Sequence, residues 1–97
     1  MMGDKLTTFS RNFEFHDEIF RVIALNVRKY RLLAGITQEQ LAVDIGVSYD
    51  YIRRFESKKG EHGLTVPNLY KISVVLGVSM DQLFDFSVLE VKEEVSL

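Results

Sequence analysis

The sequence predicts an all-α fold, a single compact domain of five helices. Three observations carry this. Apolar residues recur every three or four positions through most of the chain, the period of one helix face. A Gly-Val-Ser triplet occurs twice, at 46–48 and 77–79, where one helix would stop and the next begin. Ninety-seven residues at 46% hydrophobic content suffice for one core and not for two, and without cysteine that core has no disulfide or thiolate metal site to assist it.

The polar, phenylalanine-studded segment 1–15 reads as an N-terminal extension, 16–86 as the domain and 87–97 as a tail. Over 16–34, Ile19, Ile23, Val27, Tyr30 and Ala34 step along one face and predict a long amphipathic helix, with His16 as a near-cap residue. Gly35 ends it in a left-handed cap, and Thr37 offers its hydroxyl to the first amides of a second helix. Leu41, Ala42 and Ile45 are that helix's inward stripe, and Gly46 closes it. Val47 plugs the angle between helices and Ser48 caps a third helix over 49–57. Ile52, Phe55 and Glu56 share its inward side, whereas Tyr49, Asp50, Arg53, Arg54 and Ser57 lie together on the opposite side. A polar loop over 58–64 follows. Thr65 then caps a fourth helix, with Pro67 in its first turn and Leu69, Ile72, Val75 and Leu76 inward. Ser79 caps a fifth helix over 80–86 that buries Met80, Leu83 and Phe84. The last eleven residues alternate too weakly to be assigned.

The net charge of -2 conceals a segregation. Residues 28–59 hold seven basic against four acidic side chains, and residues 60–97 hold two against six. A positive centre beside an acidic end lets one face approach phosphate while the other stays in water. Ordinary solvated charge is the plainer account, and the asymmetry alone does not outweigh it. Short apolar runs and a start carrying Asp4, Lys5 and Arg11 predict a soluble cytoplasmic protein, neither exported nor membrane-spanning. Two distant histidines, no cysteine, no glycine-rich phosphate loop and no paired carboxylates leave no catalytic residue, metal ligand, cofactor or small-molecule substrate to assign. His62 reads as a solvated loop residue.

The run Thr37-Gln38-Glu39-Gln40-Leu41-Ala42, then Gly46-Val47-Ser48, then Tyr51-Ile52 and Glu56 resembles the lambda-repressor-like family of helix-turn-helix DNA-binding domains, also called XRE or Cro-like. Leu76 to Phe84 resembles that family's ending, so the likeness covers about residues 19–86. It implies that helices two and three form the helix-turn-helix and that the third enters the major groove. Tyr49, Asp50, Arg53 and Arg54 would then face base edges. Arg54 has a guanidinium fork that matches guanine N7 and O6, a contact that contributes about 1–3 kcal/mol of discrimination. Asp50 either accepts from a cytosine amino group or pairs with Arg54 and aims it. Tyr49 packs on a thymine methyl or bonds a phosphate, Tyr51 on the flank meets the backbone, and Arg53 contacts base or phosphate. Gln38 faces a phosphate at the positive end of a helix dipole. Thr37 and Ser48 are caps first and phosphate contacts second.

The resemblance also implies a structural salt bridge between Arg31 and Glu56, so that losing one partner would cost the fold rather than base reading. The pattern breaks where Lys58 replaces an expected glycine and the following loop runs about two residues longer. Lys58 and Lys59 are therefore phosphate contacts by charge and not by alignment. Leu25 and Leu32 stand where the family is polar, and Phe9, Phe13 and Phe15 would cover them within one chain or across a dimer.

These features imply a sequence-specific regulator of double-stranded DNA, a repressor acting as a homodimer on a near-palindromic operator, with recognition helices about 34 Å apart. Helix five and the tail are the expected dimer surface. An antitoxin or restriction controller would use the same domain. A protein-interaction module that has given up DNA is the competing reading, suggested by a pI near 5.6. Such a module should have lost the basic and aromatic groups of its third helix.

Overall fold

The computed structural model describes residues 12–13, 18–57 and 64–90. Five helices follow in chain order: α1 (Ile19–Ala34), α2 (Gln38–Ile45), α3 (Tyr49–Phe55), α4 (Val66–Leu76) and α5 (Met80–Leu83), with a 3-10 helix at Phe86–Glu90. The expectations placed on Phe9, Phe15, His16, Lys58, Lys59, His62 and residues 91–97 lie outside the described residues.

Hydroxyl caps start four of the helices. The side chains of Thr37, Ser48, Thr65 and Ser79 accept from the amides of Gln40, Tyr51, Asn68 and Gln82, and Gln82 returns a bond to the Ser79 amide in a capping box. Helix α1 lacks such a cap. Glu18 makes no side-chain cap bond, and the helix begins at Ile19 rather than 16. Gly46 sits at φ 80° in the turn between α2 and α3. A side chain there would meet no neighbour, so the cost of replacing it is backbone strain of about 1–2 kcal/mol.

The core is drawn from every helix. Leu41, Ala42 and Ile45 of α2 meet Ile52 and Phe55 of α3 and Leu69, Ile72 and Leu76 of α4, while α1 packs on α4, α5 and the 3-10 helix. Phe55, Leu41, Ile52, Ile72, Leu83, Val22 and Val27 are fully buried, each worth about 1.5–3 kcal/mol relative to exposure. The buried face of α1 is Val22, Ile23, Ala24, Asn26, Val27 and Arg31. It is wider than the expected stripe: Ile23 and Val27 are buried and Ile19 and Tyr30 pack against the core, while Val22 and Ala24 add a flank on either side and Ala34 is exposed.

Helix α5 ends at Leu83 instead of 86; Met80 is half-buried and Phe84 is 42% exposed. The Phe84 and Asp85 amides donate three residues back, to the Asp81 and Gln82 carbonyls. Buried Asn26 donates from Nδ2 to the Leu83 and Asp85 carbonyls, both at 3.0 Å, and the Asp85 carboxylate accepts from the Ser87 amide at 2.9 Å. That turn redirects the chain into the 3-10 helix. Leu32 and Phe13 both keep more than half of their surface exposed, so Phe13 does not enclose Leu32 within the chain. Among the described residues no single helix is long and apolar enough to cross a membrane.

Candidate nucleic-acid interface

Arg31 and Glu56 meet where α1, α3 and the start of α2 converge. Arg31 donates from Nε to Glu56 Oε2 at 2.7 Å and from Nη2 to Oε1 at 2.9 Å, while its Nη1 donates to the Ile36 carbonyl at 2.8 Å. The two side chains retain only 7% and 1% exposure, so this fork is a buried element of the fold. Gln38 joins it by donating from Nε2 to Glu56 Oε1 at 3.0 Å. An amide nitrogen carries two hydrogens, and only one is used here. Gln38 is thus anchored from below with a donor left over.

Helix α3 turns Ile52 and Phe55 into the core and leaves Tyr49, Asp50, Arg53 and Arg54 exposed. The spacing does this, since positions 49, 50, 53 and 54 share one face of a 3.6-residue turn. Asp50 joins the two arginines. One carboxylate oxygen pairs with Arg53 Nη2 and the other with Arg54 Nε at 3.2 Å. Tyr51 lies on the flank, its hydroxyl accepting from Asn68 Nδ2 of α4 at 3.3 Å. Ser57 donates its hydroxyl to the Arg54 carbonyl at 2.6 Å, closing the end of α3. Thr37 and Ser48 serve as caps.

Beside this face lies an open cleft of about 480 Å³ lined by Arg28, Arg31, Thr37, Gln38, Glu39 and Tyr49. It brings the first turn of α2 to the base of α3. The amides of Gln38 and Glu39 precede the first helical bond of α2, which Leu41 donates to Thr37, and such amides point toward an anion. Arg28 and Glu39 are the cleft residues that sequence reading passed over as site residues, and Arg28 is the cationic one. The signal was present: Arg28 is three residues before Arg31, on the same side of α1. Asn68 was missed as well, because its link to Tyr51 joins separate helices.

Two short helices of eight and seven residues, joined through Gly46-Val47-Ser48 with tyrosine, carboxylate and guanidinium groups facing out of the second, define a helix-turn-helix domain. Residues 27–83 match the family model described as helix-turn-helix. The chain belongs to that family, in its lambda-repressor-like branch of DNA-binding domains. Over 83 residues it is 34% identical to a Neisseria hypothetical transcription factor from Neisseria meningitidis serogroup B, a match spanning 86% of this chain and 76% of that protein. The crystal structure of the hypothetical transcription factor NHTF from Neisseria aligns with a TM-score of 0.67 at 26% identity, covering 90% of this chain and 96% of that one. The restriction-modification controller protein C.AhdI from Aeromonas hydrophila aligns with a TM-score of 0.60 at 25% identity, covering 67% and 96%.

Proposed function

We propose that the protein is a transcriptional regulator that binds double-stranded DNA sequence-specifically as a homodimer on a near-palindromic operator and represses where that site overlaps a promoter. One observation carries the reading: α3 presents Tyr49, Asp50, Arg53 and Arg54 to solvent beside a cleft in which Arg28, Gln38 and the first amides of α2 converge. This pairs a base-reading face with a phosphate seat, which is how groove binding divides specificity from positioning. Arg54 reads guanine. Arg53 and Tyr49 contact base or phosphate, and Gln38, Arg28 and Tyr51 hold the backbone with Lys58 and Lys59. The Ser57 hydroxyl is committed to the Arg54 carbonyl, so its role is to finish α3. For the dimer, Val66, Tyr70 and Val74 lie four residues apart and exposed on α4, with Phe84 exposed just after α5. These exposed residues support α4 as part of the dimer surface beside the expected fifth helix and tail.

The names of the relatives support a regulator of transcription, and the likeness to a restriction-modification controller supports a controller of that kind as the second reading. A gel shift against genomic fragments, including DNA upstream of the protein's own coding region, tests the proposal. Arg28, Lys58 and Lys59 of two protomers would neutralise about six phosphates, so affinity should fall about 10³-fold between 50 and 200 mM salt. Binding to no fragment at low salt would refute it.

A further inference from the structure

We propose that Asp50 is a specificity-determining residue that acts against non-specific binding, holding the guanidiniums of Arg53 and Arg54 until a base pair offers its carboxylate a donor in exchange. This rests on the DNA-binding function proposed above. One carboxylate engages both arginines, at spacings of three and four residues on α3, and the three side chains are each about half exposed. Nothing in the core depends on them, because α3 is held by Ile52 and Phe55. This separates the group from the buried Arg31–Glu56 fork, which the fold requires.

The consequence follows from charge. On a random duplex, turning the arginines to phosphates would take both guanidiniums from Asp50 and leave its carboxylate facing a backbone of like charge. That penalty weakens non-specific binding. A cytosine N4 or an adenine N6 amino group at the edge of the major groove can donate to Asp50 and replace the arginines, which are then free for guanine N7 and O6. The carboxylate therefore couples release of the arginines to the presence of an amino-bearing base beside a guanine. Two weak exposed ion pairs suit this role, since each exchanges readily with DNA.

The test compares the full-length wild type with Asp50→Asn on two duplexes, one selected from a random pool and one scrambled, across a salt series. The expected result is tighter binding of the scrambled duplex by Asp50→Asn, with a salt slope steeper by about 2 to 4 as one or both arginines of each protomer reach phosphate. The ratio of selected to scrambled affinity should fall at least about fivefold, the lower end of one base contact. An unchanged ratio with wild-type binding intact would overturn the role of Asp50 alone. A lowered thermal midpoint with both duplexes weakened and no steeper slope would also overturn it, by showing a merely structural residue. Failure of the wild type to bind any duplex would instead remove the DNA-binding proposal, and this inference with it.

Discussion

Replacing Glu56 with alanine should unfold this domain more readily than any change to the exposed face of α3. The glutamate accepts two bonds from Arg31 and one from Gln38, and both members of the ion pair are almost fully buried. Truncation leaves the Arg31 guanidinium with only the Ile36 carbonyl from this set. Stranding a buried charge in this way costs about 3–5 kcal/mol, against a total stability of about 5–15 kcal/mol for a domain. At about 4–8 °C per kcal/mol for a chain of this size, the midpoint should fall by at least about 12 °C. Removing both charges, as Arg31→Met with Glu56→Leu, should cost much less than the two single losses together, because no unpaired charge remains. Urea unfolding followed by circular dichroism measures each variant. The base preference of the fraction that stays folded should be unchanged. A single-variant loss below about 1 kcal/mol, or a double variant as unstable as the sum of the singles, would refute the reasoning.

Phe55→Ala, which empties the largest fully buried site, should cost about 3–5 kcal/mol in the same assay; a loss under about 1 kcal/mol would contradict the packing described. The Ser87 amide and then its hydroxyl hold the Asp85 carboxyl below its ordinary value of 3.8, with Lys29 adding a smaller push and burial opposing. Its folded pKa being lowered, Asp85 stabilises fully above the unfolded value and loses that contribution as pH falls through the folded one. Asp85→Asn should therefore flatten the stability profile below about pH 4, and urea midpoints that track the wild type across that range would contradict this. Tyr70→Lys, a change on an exposed position of α4, should leave the thermal midpoint of the monomer intact while shifting sedimentation toward the monomer and weakening operator binding; an unaltered dimer would exclude that face.

The parts of this fold that local chemistry specifies were legible in the sequence. The caps at Thr37, Ser48, Thr65 and Ser79 fix helix starts, and left-handed Gly35, Gly46 and Gly77 fix helix ends, each acting within three or four residues. The outward set on α3 was legible for the same reason, as a direct product of helical period. What the pattern missed depends on distant partners. Asn26 reads as a polar residue among apolar ones, yet its amide bonds carbonyls 57 and 59 residues away and ties the chain after α5 to α1. The spread of the buried α1 face to Val22 on one side and Ala24 on the other reflects packing on α4, α5 and the 3-10 helix at once. Gln38 was assigned to a phosphate from its place at a helix start, and its anchoring bond to Glu56 comes from the convergence of three helices. The double hold of Asp50 on Arg53 and Arg54 needed side-chain positions, since spacing alone allows either partner.

Selection of bound sequences from a random duplex pool tests most directly whether α3 reads the major groove. An inverted repeat with half-sites about 10 base pairs apart and a guanine in each is the outcome expected, with Arg54→Ala relaxing the preference at that guanine by about 1–3 kcal/mol and Gln38→Ala weakening every sequence alike. A pool that shows no enriched sequence, or an Arg54→Ala variant that selects the same sequence with unchanged stringency, would contradict the account.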